Sequence, residues 1–403
     1  MNSMNISQAS TVLNKIVQQA TGQATIANIQ TPEDFVSVAQ TALKTGYDPV
    51  INAVSQIWSR TIFANRPYTA KFKGLEMDLP RYGNAVRKLS PVAKQMSDDQ
   101  RFTWPVAFDT AHDPNSLGNG ESVDMYKINK QDVLQTNFYG TAVYEQDYTI
   151  FRDQFDTAFS SADEFARFNE LNMTARMNDK ELYIENVARG LQVNIIGGIL
   201  KEANTDRVVH LLTEYNTLTG LSLTAQSVYQ PENFAPFMRW VYAKVATIAR
   251  LMSEHTEKYQ TVINGKHVLR HTNSADLRVC MYSAAAEQMK AMADSITFHD
   301  EYLQYADVEF ANFWQSIDSP DKIKVTPVYT SATGDVTKSK SEVEQAGIFG
   351  LIHDRDSICY CVTNNWSAVS PLNIRGGYWN EAYHANIKTI SDMTEKAVVL
   401  LLD

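Results

Sequence analysis

The sequence predicts an α+β fold, and three observations carry that prediction. Amphipathic helical stripes recur at 162–189 and 231–255. Period-two apolar alternation marks short strands at 277–282 and again from 322 onward. Between 68 and 148 the chain shows no helical stripe, only turn formers and two strand-like runs. The order of these regions says more than any single motif.

Residues 1–30 are rich in Asn, Gln, Ser, Thr and Ala, which suits an arm that orders only against a partner. A firm helix signal follows in TPEDFVSVAQTALKTG. Thr31 caps, Pro32 fits the first turn, Asp34 completes a capping box and Gly46 offers a left-handed stop. A second short helix is expected from 48 to about 63. In the excursion, 84–90 and 132–142 read as strands around a loop of about forty residues. A compact monomer seldom supports so long a loop alone, and a neighbouring copy is one source of support.

The strongest helix comes next. Ser161 and Glu164 form a capping box, and Phe165, Phe168, Asn172, Ala175 and Leu182 recur at helical spacing before a stop at Gly190. Its other faces carry Asp163, Arg167, Glu170, Arg176, Lys180 and Glu185. The helix at 231–255 sets Phe237, Val241, Val245, Ile248 and Met252 on one side. Asn264-Gly265 then signals a tight hairpin. LRVCMY at 277–282 reads as a strand, SAAAEQMKAMADS at 283–295 as a helix, and strands are expected at 322–329, 346–352, 357–363 and near the end.

The chain of 403 residues is long enough for about two or three domains, each with its own core. Its net charge of −10 repels phosphate, so no module dedicated to gripping nucleic acid is expected, though a surface that merely encloses it is compatible. Cys280, Cys359 and Cys361 make no disulfide framework. The opening MNSMNISQAS lacks a secretory pattern, and the longest apolar run, 397–402, is far below the ~20 residues of a membrane span. These features predict a soluble protein made in a reducing cytoplasm, with no membrane partner.

Chemistry is hard to find. His353, Asp354 and Asp356 could bind a divalent cation in a metal-dependent hydrolase, but they read better as a charged turn between two buried strands. Cys359 and Cys361 share one strand face without the further soft ligands a metal needs, and His267 and His271 fall on a strand and its exit. The NGK at 264–266 is no phosphate loop, and no hydrolase or zinc-finger spacing occurs. No catalytic residue, cofactor or metal is predicted. Arm, excursion and charged helix share one reading: they are surfaces kept for other copies, weak singly and strong by repetition.

Four stretches then carry a resemblance. FYGTAVYEQDYTIFRDQFDTAFSSADEFARF (138–168), NSADLRVCMYSAAAEQMKA (273–291), GLIHDRDSICYC (350–361) and RGGYWNEAYHANIKTIS (375–391) occur in the order found in major capsid proteins of the Hong Kong 97 fold. Within that group the chain is most similar to major head proteins of phi-29-like short-tailed phages. The resemblance covers residues 50–403 in patches. It implies an N-terminal arm with short helices (1–67) and an extended loop (68–145). A peripheral domain follows (146–203 plus about 368–392, spine helix 162–189), with an axial domain (204–367 plus about 393–403). The chain ends at Asp403, so the extra immunoglobulin-like domain of the phi-29 head protein is not expected, and no cross-linking lysine and asparagine can be matched.

On this resemblance the protein is a structural head protein, not an enzyme. It would assemble as hexamers and pentamers, with scaffolding protein and portal, around double-stranded DNA that it encloses without specific binding. Assembly would occur in the host bacterial cytoplasm and end in the virion; an encapsulin-like nanocompartment is the alternative. Lys94, Asp98, Asp99 and Arg101 on the loop would face Arg167, Glu170, Arg176 and Lys180 of an adjacent spine helix. Arg375, Gly376, Gly377, Tyr378 and Trp379 would turn the chain at the joint between domains, 384–391 would cross back as a peripheral strand, and 397–402 would be a central axial strand covered on both faces.

Overall fold

The computed structural model describes residues 6–21, 31–44, 46–58, 68–78, 86–92, 130–202, 205–285, 307–330 and 336–403, with isolated positions between. Three helices lead: α1 (Ile6–Thr21), α2 (Pro32–Lys44) and α3 (Tyr47–Trp58). The capping box of α2 forms as expected, with Asp34 N–H on Thr31 Oγ1 at 3.2 Å and Thr31 N–H on Asp34 Oδ2 at 3.1 Å. α1 corrects the reading of an arm that orders only against a partner. Ala9, Val12, Leu13 and Ile16 recur at helical spacing and lie in one buried cluster with Phe35, Val50 and Phe165 of the same chain. A polar composition concealed a legible stripe.

The excursion contributes β1 (Val86–Pro91) and β2 (Val133–Phe138), an antiparallel ribbon pairing Val86 with Phe138 and Pro91 with Val133. A break at Tyr139 separates β2 from β3 (Gly140–Phe151), so the run expected at 132–142 divides between two sheets. Then α4 (Arg152–Ala158) leads into α5 (Ala162–Lys201), a helix of 40 residues. At the α-helical rise that is about 60 Å.

α5 begins where its capping box predicts: Ser161 Oγ accepts the Glu164 N–H at 3.2 Å. It does not stop at Gly190. Each interior glycine costs about 1 kcal/mol of helix propensity, but Val193, Ile195, Ile196 and Ile199 are all buried, and that burial outweighs the cost. Gly197 is a packing notch, since a Cβ there would lie 2.6 Å from Val325 Cγ1.

Beyond it come β4 (Val208–His210), α6 (Leu211–Thr219), α7 (Pro231–Ser253), β5 (Leu277–Tyr282) and β6 (Asp307–Ala311). The helix expected at 283–295 lies almost wholly outside the described residues. Asn264 and Gly265 take left-handed φ of 52° and 63°, yet only Ile263 and Lys266 bridge across them, so the hairpin is a turn without a ladder. β7 (Ile323–Val325) and β8 (Val328–Thr330) replace one expected strand, because Pro327 has no N–H to offer. They pair with β10 (Val343–Gln345) and β9 (Val336–Lys338) respectively. β11 (Ile348–Asp354), β12 (Ile358–Val369), β13 (Tyr378–Ser391) and β14 (Ala397–Leu401) complete the chain.

Two sheets organise the body. The larger has the order β4-β14-β11-β5-β6 and the smaller β12-β13-β3. In β14, Val399 and Leu401 join Ile195, Ile196 and Ile199 of α5, whereas Val398 and Leu400 join Val241, Val245 and Ile248 of α7. Alternate strand side chains face opposite ways, so a strand between two helices must be apolar throughout. Cover on both faces is as expected, with β11 rather than β14 at the centre of the sheet. A third cluster joins α1, α2, α3, α4 and the start of α5 to Ile150 and Trp379.

Candidate assembly surfaces

α5 is anchored at its ends by different cores, Ala162 and Phe165 in one, Ile184 to Ile199 in another. Its middle is held by polar groups. Arg176 forms a two-pronged ion pair with Glu381 of β13, at 2.8 and 2.6 Å, and lies 4.4 Å over the Tyr148 ring of β3. On another face, Asn178, Glu181 and Glu185 accept the backbone N–H groups of Tyr68, Ala70 and Lys71 at 2.8, 2.9 and 3.1 Å. Spacings of three and four put these acceptors in one row. An extended segment cannot satisfy its own N–H groups, so this row gives 68–71 a track along the helix. Glu185 also receives the Tyr68 hydroxyl and Arg189; burial pushes its carboxyl up, and these donors outweigh burial and hold it below its ordinary range.

The helix residues expected to meet another copy therefore differ among themselves. Arg176 is committed to its own subunit. Lys180 Nζ sits 5.8 Å from the Tyr383 ring, Glu170 is half-buried, and Arg167 is exposed with Glu164 at 3.4 Å. Leu171 and Leu182 are exposed among them, Leu171 to 72%.

Lys94, Asp98, Asp99 and Arg101 lie outside the described residues. Beside its buried Ala70, Phe72, Leu75, Leu134 and Tyr144, the excursion exposes Leu89, Met125, Tyr126, Ile128, Tyr139 and Val143, Ile128 to 91%. One exposed apolar side chain is ordinary, whereas several in one region of the chain are the kind of surface used for interactions. The stem itself is tied down. Lys88 of β1 pairs with Asp392 at 2.9 Å and with Glu395; Arg270 pairs with Glu395 and donates to Ser90 Oγ and Thr394 Oγ1, both at 3.0 Å. Lys266 meets Asp132 at 2.9 Å, and Leu134 packs with Ile263 and Val268. Sequence reasoning nominated none of these, because the partners are far apart along the chain.

Arg375, Gly376, Gly377, Tyr378 and Trp379 lie at and just beyond the turn that joins β12 to β13 within one sheet. Asn373 Oδ1 accepts the Arg375 and Gly376 N–H groups, each at 3.1 Å, and Gly377 takes a φ of +62° that favours glycine. A side chain on Gly376 would overlap the Tyr378 ring. Arg375 is exposed, and Tyr378 meets Phe151 edge-on at 5.8 Å. Trp379 is buried, stacks on Tyr47 at 5.8 Å and donates Nε1–H to Asp48 at 2.7 Å. The joint it makes is between β13 and α3.

His353 and Asp354 end β11 with buried side chains, while Asp356 sits in the exposed turn. Asp354 accepts the Thr272 hydroxyl at 2.6 Å and the Asp356 N–H at 2.8 Å, and His353 Nδ1 faces Asp354 O at 2.8 Å. Burial lowers His353 to about 4, so it is neutral near pH 7. Among the described residues no group of three or more His, Cys, Asp and Glu is placed to hold a metal ion. Cys359 is a buried free thiol pushed up to about 12 by burial, and Cys361 is buried and free beside it. No described helix is long and apolar enough to cross a membrane.

Two solved structures share this backbone arrangement. The capsid structure of Staphylococcus phage Andhra has a TM-score of 0.52 at 10% identity, over 85% of this chain and 87% of the other. The structure of head fiber and inner core protein gp22 of bacteriophage P68 has a TM-score of 0.53 at 12% identity, again over 85% and 87%. At such identity the agreement concerns fold alone. No curated protein matches the sequence. A sequence model of one family, described as Phi29-like phage major capsid protein, matches residues 13–400. That span takes in both sheets, α5 and the excursion, and the mixed helix-and-sheet architecture is that of Hong Kong 97-type capsid proteins. The chain belongs to the Phi29-like phage major capsid protein family, and its role is structural rather than enzymatic.

Proposed function

We propose that copies of this chain, gathered as hexamers and pentamers, close into an icosahedral or prolate head around double-stranded DNA. In this reading the excursion of one subunit lies across the middle of α5 in the next. One observation carries it: the excursion exposes Leu89 on the ribbon, Met125, Tyr126, Ile128 and Tyr139 outside its strands and Val143 on β3, while the ribbon has almost no core of its own among the described residues. On the receiving side, Leu171 and Leu182 offer apolar cover and Arg167 and Glu170 offer charge. Lys94, Asp98, Asp99 and Arg101 are the loop residues proposed to meet those charges. The smaller sheet with α5 forms the peripheral domain, and the larger sheet with α6 and α7 forms the axial domain.

A net charge of −10 suits a container that must not adhere to the genome it holds. DNA is thus enclosed rather than bound, and scaffolding protein and portal act during assembly in the host bacterial cytoplasm. The test is deletion of 95–130. The expected product is a folded subunit that forms no closed shell in electron micrographs; normal shells from that deletion would refute the reading.

A further inference from the structure

The stem of the excursion is attached in a way that specifies geometry more than it adheres. Lys88 and Ser90 are two apart on β1 and so project from one face of the strand. Lys88 reaches Asp392 and Glu395, which are 1% and 6% exposed, in the turn after β13. Arg270 closes the ring through Glu395, Ser90 and Thr394. Two cations meet two carboxylates, so the node is neutral only when all three stretches of chain converge. The apolar contact beneath it is shallow, Leu134 against Ile263 and Val268. Buried ion pairs add little net adhesion over apolar groups of similar shape, yet removing one member strands a charge.

We propose that Lys88, Arg270, Asp392 and Glu395 form a latch that sets the direction in which the excursion leaves the subunit. Its consequence, which rests on the shell reading above, is that the latch fixes which part of the next copy the excursion meets, and so the curvature of the shell. These are positioning residues: the cost of opening the node falls on the angle of the stem, not on the cores.

The test combines Lys88→Met with Glu395→Gln. The pair removes one charge of each sign, keeps both side chains about as long, and leaves the node with one cation, Arg270, and one carboxylate, Asp392. Hydrogen exchange is read on the unassembled subunit, and particle diameters by electron microscopy. Exchange at the β1 and β2 amides should quicken about tenfold or more while β11 and β14 stay unchanged, and shells should be of mixed size. Ser90→Ala, which removes only the Arg270 hydrogen bond, should quicken the same amides by a smaller factor. Stem amides as slow as in the wild type would overturn the latch and leave the shell reading intact. Faster exchange with shells of one unchanged size would overturn its control of curvature. A wild-type chain that never forms shells would overturn the shell reading and leave the latch standing on exchange alone.

Discussion

The larger sheet and the stem of the excursion are both β structure, but different forces hold them. β11 and β14 lie between α5 and α7 with every residue buried. β1 and β2 form a two-stranded ribbon, a unit that is marginal in water by itself. It is held by a ring of charges and one shallow apolar contact. The sheet is finished within the chain, whereas the described contacts of the ribbon lie at its root. A shell protein needs both, a subunit that keeps its shape alone and a surface that does not become complete until a second copy arrives.

The comparison can be broken hardest in the sheet. Leu351→Ala empties a fully buried site in the cluster that joins β11 to α5. It should cost about 3–5 kcal/mol, read as a lower urea midpoint of the unassembled subunit. A loss below about 1 kcal/mol would contradict the covered-strand picture.

Acid comes next. His353 at the end of β11 is lowered from 6.5 to about 4 by burial, so between those values the unfolded chain binds a proton that the folded chain refuses. Stability should therefore fall as pH drops through that window, by on the order of 3 kcal/mol from this one group, and His353→Gln should flatten that part of the curve. Parallel curves for variant and wild type would show that the imidazole is not held neutral.

A comparable effect is expected where α5 meets the smaller sheet. Arg176→Met leaves buried Glu381 without its two-pronged partner and should cost about 3 kcal/mol, much of it restored by adding Glu381→Gln. No restoration in the double variant would mean that the two residues act separately.

The smallest effect on the subunit should come from the excursion. Ile128→Ser or Tyr139→Ser changes an exposed side chain and should shift stability by less than about 0.5 kcal/mol. Closed shells should nevertheless become scarce in sedimentation profiles. Full shell yield with both substitutions would place assembly elsewhere on the surface and erase the contrast between ribbon and sheet.

How much of this was legible depends on the range over which each feature is decided. The capping boxes at Thr31 and Ser161 and the fully buried β14 were read correctly, because caps and periodicity are written within a few neighbouring residues. The stripe of α1 was equally local and was overlooked beneath a polar composition. The run of α5 past Gly190 to Lys201 was out of reach: it depends on burial of Val193, Ile195, Ile196 and Ile199 against residues far along the chain, and Val325 fits so close to Gly197 that a side chain there has no room.

Candidate surfaces divide in the same way. The sequence alone determined that the chain is an acidic α+β protein with an excursion, a long charged helix and an apolar last strand. Only the tertiary structure decided that Arg176 serves its own subunit, that Glu181 and Glu185 hold residues 68–71, and that Lys88 meets Asp392, Glu395 and Arg270 beside it. A charged residue advertises that it needs a partner; which partner it gets is settled by which surfaces the folded backbone brings within about 3 Å.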